Sequence, residues 1–367
     1  MLNPNARARR FPVPPPLSGL HNQTVRMIVR TSIGGSTLRL RLSNALGAST
    51  LSLGAAHIAL HAKDSGIVPA SDRPLTFGGK PTATLYAGQV LISDPVTLEA
   101  GPLTDLAVSL YFPGETGPPT SHTFGLRPTY ISSEGDFTGR PEIPDADASH
   151  QSWYWLAGID VLAPRDAFTI VTFGDSITDG DQSTPDTNNA WPSLLVRRLA
   201  ASRVGIVNAG ISGNRILGDN NGGLARLLRD ALSVPGVRWL TLLEGINDIN
   251  GAMRANTPFS AEELIAAYRQ VVETAHLYGV KVAGCTLTPY AGSSAYTEKG
   301  EAIRQAANQW IRTSGAFDAV FDFDAATRDP KTPGRFRPEA DSPDLLHPGD
   351  AGYKLMADSI DARVFRK

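Results

Sequence analysis

The sequence contains a single cysteine, Cys285, and almost no net charge. One cysteine cannot form a disulfide within the chain or supply a cysteine metal cluster, and we expect Cys285 to be a small buried residue at a strand end. With 34 basic and 36 acidic residues the formal net charge is −2, so no overall field attracts nucleic acid or anionic lipid. No uninterrupted apolar run approaches the length of a membrane span. We therefore expect neither a nucleic acid partner nor a membrane span.

The N-terminal segment lacks the apolar helical stretch of an export signal. Arg7, Arg9 and Arg10 are followed by Phe11-Pro12-Val13-Pro14-Pro15-Pro16, where the prolines exclude such a helix. We expect no signal peptide in this sequence, which leaves two alternatives: a cytoplasmic protein, or a secreted protein whose signal has been removed. Residues 1–21 are expected to form a loosely ordered arm, and the 367 residues suffice for two domains.

Apolar and polar residues alternate with period two from about residue 22 to residue 160. Leu38, Leu40 and Leu42, for example, share one face of a short strand. Turn signals separate such runs at Gly34-Gly35, Gly78-Gly79 and Gly117-Pro118-Pro119. Many half-buried strands separated by such turns predict an antiparallel β-domain over residues 22–163, a β-sandwich of jelly-roll type.

Two groups of side chains in the β-domain raise the question of a binding surface. Trp153, Tyr154 and Trp155 would stack on sugar rings if they were exposed, but we favour packing at the junction with the next domain. A solvated sheet surface is the expectation for four arginines: Arg26, Arg30, Arg39 and Arg41.

After residue 160 strand-like runs alternate with helical ones, which is typical of a parallel sheet. The predicted strands are Phe168–Phe173, Val204–Asn208, Val237–Leu243, Val280–Thr286 and Ala319–Asp322. Helices are predicted near Ala190–Ala201, Gly223–Leu232, Ser260–Tyr278, Ala295–Ser314 and Asp350–Ala362. Five such strands with helical crossovers predict a sheet covered on both faces over residues 164–367, with ligands bound beyond the carboxyl ends of the strands.

Three polar segments follow the first three predicted strands. The first places Ser176 in a glycine-flanked turn, and a serine needs a base and an acid to become a nucleophile. The second contains Gly213, where glycines let backbone N–H groups point into a cleft. The third contains Asn247, whose side-chain amide can face a developing oxyanion. Taken singly, a capping serine, an ordinary loop and a capping asparagine explain these segments as well.

A fourth segment supplies an acid and an imidazole. His347 lies in a loop three residues after Asp344, a spacing that lets the carboxylate accept a hydrogen bond from Nδ1 while Nε2 faces the serine. Asp341 and Asp350 are rival acids. His276 lies within a helical pattern and is interpreted as a solvated or packing residue. All four segments are expected at one edge of one sheet, and this convergence favours a nucleophilic site.

Other site types fit the sequence poorly. The nucleophile elbow of an α/β-hydrolase needs Gly-x-Ser-x-Gly, but Thr178 stands two residues after Ser176. The glycine pattern of a dinucleotide site is absent. The spacing of a calcium loop is not met by Asp175, Asp179 and Asp181, and His347 has no second histidine nearby. We expect no cofactor and no metal.

The four segments together resemble the SGNH hydrolases of the GDSL esterase/lipase superfamily. The serine segment reads Gly174-Asp175-Ser176-Ile177-Thr178-Asp179-Gly180, with isoleucine where the family name has leucine. The other segments match at Gly213, at Gly245-Ile246-Asn247-Asp248, and at Asp344 with His347. The resemblance implies a flavodoxin-like three-layer α/β/α sandwich for the second domain.

By that resemblance Ser176 is the nucleophile, His347 the general base and then acid, and Asp344 the group that orients it. The oxyanion hole would consist of the backbone N–H groups of Ser176 and Gly213 and the side-chain amide of Asn247. The implied reaction is ester hydrolysis through an acyl-enzyme.

The polar stretches at residues 184–190 and 291–299, without a long apolar lid, favour short acyl groups, with acetyl preferred and a sugar or small alcohol as leaving group. The expected partner is therefore a small-molecule or carbohydrate ester. Two alternatives stay open: an acyltransferase to a sugar hydroxyl, and an inactive carbohydrate-binding protein.

Overall fold

The computed structural model describes residue 11 and residues 16–366. The chain forms two compact units that divide between Asp166 and Ala167. Most of the predicted N-terminal arm, residues 1–10 and 12–15, lies outside the described residues. Leu20 is buried at 2% exposure, and its backbone N–H donates to Thr116 Oγ1 at 2.8 Å, so the chain already belongs to the first unit's core there.

The first unit consists of antiparallel sheets, as predicted. A six-stranded sheet has the order β12-β11-β1-β9-β4-β5, and a second sheet has the order β14-β2-β7 with β8 also paired to β2. Two short pairs, β10 with β13 and β3 with β6, complete the described pairing. The strands are β1 (His21–Arg30), β2 (Gly35–Ser43), β3 (Leu51–Leu53), β4 (Ala55–Leu60), β5 (Arg73–Pro74), β6 (Ala83–Leu85), β7 (Val90–Ile92), β8 (Val96–Ala100), β9 (Asp105–Glu115), β10 (Ser121–His122), β11 (Thr129–Glu134), β12 (Asp147–His150), β13 (Trp153–Tyr154) and β14 (Leu156–Val161).

One apolar core joins the two main sheets of this unit into a sandwich. Leu38, Leu40 and Leu42 of β2 point into the core, as their period-two spacing predicts. Trp155 is also part of it, packed against Phe112 with ring centroids 4.4 Å apart. The expectation of a domain-junction aromatic cluster is therefore wrong for Tyr154 and Trp155, which are buried within the β-unit itself.

Arg26 is fully buried, so the prediction of a solvated arginine surface is wrong at this position. Its Nε donates to Ser109 Oγ at 2.7 Å, and its terminal nitrogens donate to main-chain carbonyls of two covering loops, including those of Ser65 and Arg140. Burial lowers the pKa of Arg26 to about 10, opposed by the charge of Asp72. The covering loops give β1 a second buried face around Ile28, which a period-two pattern does not reveal.

We predict that Arg26→Met lowers the free energy of unfolding by about 3 kcal/mol, because several buried carbonyl oxygens lose their donor. Urea denaturation followed by tryptophan fluorescence measures this as a lower midpoint. Arg39→Met is the matched control, since Arg39 is exposed and makes one long contact of 3.4 Å to Ser93 O. Equal midpoints for both variants would contradict a structural role of Arg26.

The second unit is an α/β sandwich built on a five-stranded parallel sheet, which confirms the predicted fold. The strand order is β16-β15-β17-β18-β19. Because crossovers in parallel sheets are right-handed, the reversal of order at β15 places the crossover from β15 to β16 on one face and the crossovers from β16 to β19 on the other. The elements are β15 (Phe168–Gly174), α1 (Ser176–Asp179), α2 (Trp191–Leu199), β16 (Val204–Gly210), α3 (Gly223–Leu227), β17 (Val237–Leu243), α4 (Ile246–Ala255), α5 (Ala261–Leu277), β18 (Lys281–Cys285), α6 (Glu298–Thr313), β19 (Ala319–Phe321), α7 (Phe323–Thr327) and α8 (Asp350–Ser359).

Local sequence signals explain where several of these helices begin. Ser260 precedes α5, and its N–H donates to Glu263 Oε2 at 2.9 Å, which completes the predicted capping box. Thr297 caps α6 by accepting a hydrogen bond from Gly300 N. Helices α1, α4 and α7 were not predicted.

No helix in the described part of the chain is both long and apolar enough to cross a membrane. Cys285 is buried at 1% exposure at the end of β18, as the sequence predicts.

Candidate active site

Three neighbouring strands of the parallel sheet end at the same level. Gly174, the last residue of β15, pairs with Gly210 of β16 on one side and with Leu243 of β17 on the other. The strand order reverses at β15, and ligands bind in open α/β sheets at such a switch point. The segments that carry Ser176, Gly213 and Asn247 follow these three strand ends directly.

Ser176 is the first residue of the one-turn helix α1. Asp175 caps this helix by accepting a hydrogen bond from Ile177 N at 2.9 Å. A Cβ atom at Gly174 would lie 2.1 Å from Thr178 Oγ1, so only glycine allows the strand to turn into α1 here. This tight turn brings the serine hydroxyl to the edge of the sheet.

The loop after β16 is fixed against the serine turn. Ser212 donates to Asp179 Oδ2 from its backbone N at 2.9 Å and from its hydroxyl at 2.7 Å. Gly213 has φ +80° and open space where a Cβ would stand, a conformation that favours glycine. Among the residues that the structure describes, no acceptor is bonded to the backbone N–H of Ser176 or Gly213. Both donors are therefore available to a bound oxyanion.

Asn247 lies in the first turn of α4, next to the same loop. Its Nδ2 donates to Asn214 O at 2.9 Å, which fixes the orientation of the amide. The neighbouring Asp248 accepts hydrogen bonds from Ile216 N at 3.0 Å and Leu217 N at 2.9 Å. The loop and the start of α4 thus hold each other in place, with one N–H of the Asn247 amide used and one left.

The structure brings the predicted serine, histidine and acid into one hydrogen-bonded line. His347 Nε2 lies 2.8 Å from Ser176 Oγ, and its Nδ1 lies 2.6 Å from Asp344 Oδ2. The other oxygen of Asp344 accepts hydrogen bonds from Leu346 N, His347 N and Ser342 Oγ. Burial opposes the ionisation of this carboxyl, but the bonds and the charge of His347 prevail and lower its pKa below the usual range.

The rival acids lie elsewhere. Asp350 accepts hydrogen bonds from Thr184 N at 2.8 Å and Thr184 Oγ1 at 2.7 Å. Asp341 accepts one from Ser342 N. His276 Nε2 lies 2.8 Å from Asp318 Oδ2 on a partly exposed surface, which agrees with the first of the two alternatives given for it, a solvated residue. No group of three potential metal ligands occurs within the described residues.

A second carboxylate, that of Asp181, faces the reacting edge of His347. Its Oδ2 lies 3.7 Å from Nε2, and both side chains are less than a tenth exposed. Burial by itself lowers the pKa of His347, but the bond to Asp344 and the charges of Asp181 and Asp175 outweigh it and raise that pKa above its usual value. Sequence reasoning noted Asp181 only as a poor calcium ligand.

A buried ionic cluster behind the serine turn was also missed. Arg226 is fully buried, and its nitrogens donate to Gly174 O at 2.9 Å, Ala209 O at 2.8 Å and Asn214 Oδ1 at 2.8 Å. Its carboxylate partner is Glu244 at 3.1 Å. Burial raises the pKa of Glu244 well above its usual value. The sequence does contain a signal for this cluster, because the charged residue Glu244 directly follows the apolar end of β17.

The model of the GDSL-like lipase/acylhydrolase family matches residues 172–355, half of the chain. The chain belongs to this family. The GDSL match spans all four segments, from Ser176 to His347, and confirms the resemblance seen in the sequence. A search among curated proteins finds no match.

Several solved structures of this class are similar to the chain. An esterase EstA from Pseudoalteromonas sp. is 18% identical, with 52% of this chain and 93% of that one covered and a TM-score of 0.39. A lipolytic protein of the G-D-S-L family from Veillonella parvula is 20% identical, with 53% and 96% covered and a TM-score of 0.39. An acetyl-xylooligosaccharide esterase from Geobacillus Stearmophilus is 20% identical, with 54% and 94% covered and a TM-score of 0.43. These values carry no conclusion about the substrate.

We predict that Asp181→Asn moves the acidic limb of the kcat/KM profile to lower pH by about one unit. A general base must be neutral, so a raised pKa of His347 places this limb above the usual pKa of histidine, and loss of the Asp181 charge lowers it. The profile is measured with an activated acetate ester from pH 4.5 to 9.

Asp219→Asn is the control, because it removes the same charge from an exposed position in the loop after β16. Its acidic limb should stay at the wild-type pH. An unchanged limb in Asp181→Asn would show that this carboxylate does not set the protonation of His347.

Proposed function

We propose that the protein is a serine esterase that hydrolyses short-chain acyl esters, acetyl esters above all, through an acyl-enzyme intermediate. The observation that carries this proposal is the continuous line from Ser176 Oγ through His347 to Asp344, at 2.8 and 2.6 Å. Membership of a lipase and acylhydrolase family supports it. No cofactor is required, because the side chains supply nucleophile, base and oxyanion donors.

The chemistry follows from the positions of these groups. His347 Nε2 accepts the proton of Ser176 as Oγ attacks the ester carbonyl, and Asp344 stabilises the imidazolium that forms. The backbone N–H groups of Ser176 and Gly213 and the free N–H of the Asn247 amide bind the developing oxyanion. The imidazolium then protonates the leaving alcohol. Water then attacks the acyl-serine as His347 accepts its proton. The imidazolium returns a proton to Ser176 Oγ as the acid is released.

The preference for short acyl groups rests on the polar loops that follow α1 and β18. Thr184 and Thr187 tie the first of these loops down through hydrogen bonds to Asp350 and to the main chain. In the second loop, Ala291 N donates to Gly334 O at 2.7 Å. Fixed polar loops offer a long acyl chain little apolar surface, whereas an acetyl group needs little.

The decisive experiment combines a serine-reactive fluorophosphonate probe with a panel of acetate, butyrate and octanoate esters. We expect the wild type to be labelled and to hydrolyse acetate fastest, and Ser176→Ala to lose both labelling and turnover. Ser183→Ala is the matched control, since it removes a buried hydroxyl that donates to Gly180 O and should keep both. Added sugar alcohols should not divert the acyl group.

Other outcomes would overturn parts of the proposal. An unlabelled, inactive wild type would favour a carbohydrate-binding protein that has lost activity. Acyl transfer to an added sugar in preference to water would favour an acyltransferase. Fastest turnover of octanoate would leave the esterase class intact and contradict the short-chain preference.

We predict that Asn247→Ala lowers kcat by about 100-fold or more while KM changes little, because the amide acts on charge that develops only in the transition state. Steady-state kinetics on an activated acetate ester measures both constants. Asn220→Ala, at an exposed asparagine of the loop after β16, is expected to match the wild type. Wild-type turnover in Asn247→Ala would remove this residue from the oxyanion hole.

A further inference from the structure

The guanidinium group of Arg215 lies against the bare backbone of α4. A Cβ atom at Gly251 would stand 2.6 Å from Nη2, 2.7 Å from Cζ and 3.1 Å from Nε of Arg215. Three atoms of the guanidinium plane thus occupy the space that any other side chain at residue 251 would need. Glycine is disfavoured within a helix relative to alanine, and at Gly251 the missing side chain leaves the space in which the guanidinium lies.

This contact places the guanidinium beside the proposed oxyanion hole. Gly251 is four residues after Asn247 in α4, so the two positions share one face of the helix and lie about 6 Å apart. The backbone around Arg215 is fixed to the same helix on both sides. Asn214 O accepts a hydrogen bond from Asn247 Nδ2, and Ile216 N donates to Asp248 Oδ2.

The donors of this guanidinium remain open. Arg215 is exposed, and within the described ranges no hydrogen bond joins its guanidinium to another residue. The charge of Arg215 acts on the nearby carboxyl of Asp248, but that carboxyl accepts its hydrogen bonds from two backbone N–H groups. An arginine fork presents paired N–H donors that match the two oxygens of a carboxylate.

We propose that Arg215 is a specificity-determining residue that binds a carboxylate carried by the ester substrate, about one helical turn from the reacting carbonyl. The proposal rests on the esterase function proposed above. It deepens that function by assigning an acidic group to the preferred substrate. The glycine at residue 251 is then the element that gives the fork its position.

The test compares charged and neutral esters of nearly equal shape. One pair is 4-acetoxybenzoate and its methyl ester, with the carboxylate on the leaving group. The other is 4-nitrophenyl hemisuccinate and 4-nitrophenyl butyrate, with the carboxylate on the acyl group. The ratio of kcat/KM within a pair is taken relative to the wild-type ratio, so differences in intrinsic reactivity cancel.

We expect Arg215→Ala to lower the charged-to-neutral ratio about tenfold in at least one pair, with kcat/KM for the neutral esters within threefold of wild type. Gly251→Ala keeps the charge but displaces the fork, and should lower the same ratio. Combined with Arg215→Ala, it should add nothing further. Arg254→Ala, which removes an exposed arginine from the same helix, should leave the ratio within twofold of wild type.

The outcomes separate this proposal from the function on which it rests. Ser176-dependent hydrolysis of the neutral esters with unchanged ratios in Arg215→Ala would overturn the role of Arg215 and keep the esterase. An equal fall in Arg215→Ala and Arg254→Ala would also overturn it, because general charge would then explain the effect. No hydrolysis of any of the four esters by the wild type would remove the esterase function itself.

Discussion

One buried positive charge, that of Arg226, holds together the strand ends on which the site is built. Its guanidinium reaches the carbonyl of Gly174 before the serine turn, the carbonyl of Ala209 at the end of β16, and the side chain of Asn214 beside Gly213. It also packs over the ring of Phe173 at 3.9 Å. Removing a buried charge of this kind leaves its hydrogen-bonding partners buried and unpaired. The hydrogen bonds of Arg226 therefore help to fix the serine turn relative to the loop that carries Gly213.

Two buried carboxyl groups, those of Asp175 and Glu244, lie around Arg226, and burial opposes the ionisation of both. Burial raises the pKa of Asp175 to about 7, with the backbone bond from Ile177 and the charge of His347 opposing the rise. Burial also raises the pKa of Glu244 well above its usual value. One oxygen of each carboxyl has no hydrogen-bond partner within the described structure. Burial thus opposes negative charge behind the serine turn, whereas the hydrogen bonds to Asp344 favour its ionised form beside His347.

The sequence predicted the parts of the fold whose pattern is local. The five parallel strands were recognised because buried runs alternate with helical ones, and α5 because Ser260 and Glu263 form a capping box. Helix α4 was missed because its first turn, which carries Asn247, was interpreted as a polar segment after the third strand. Arg26 was misplaced because the second buried face of β1 is made by loops distant in sequence. Contacts with loops distant in sequence produce no periodic pattern of apolar residues along the chain.

The candidate site shows the same division. Ser176, Gly213, Asn247 and the Asp344–His347 pair follow strand ends or share one loop, so motif spacing predicts them together. Arg226 lies in a helix and Asp181 in a turn. No spacing rule in the sequence links either residue to the site. A charged residue at the end of an apolar strand, as at Glu244, is the one signal in the sequence that a buried ionic cluster lies behind the site.

The burial of Cys285 has a consequence for the conditions that the protein tolerates. Its thiol is 1% exposed, and burial raises its pKa, with a bond to the backbone of Leu242 opposing, so the reactive thiolate does not form at physiological pH. Oxidants and thiol reagents therefore do not react with this thiol in the folded state. The sequence contains no second cysteine with which Cys285 could form a disulfide. The folded state should therefore keep the same stability in reducing and in oxidising surroundings.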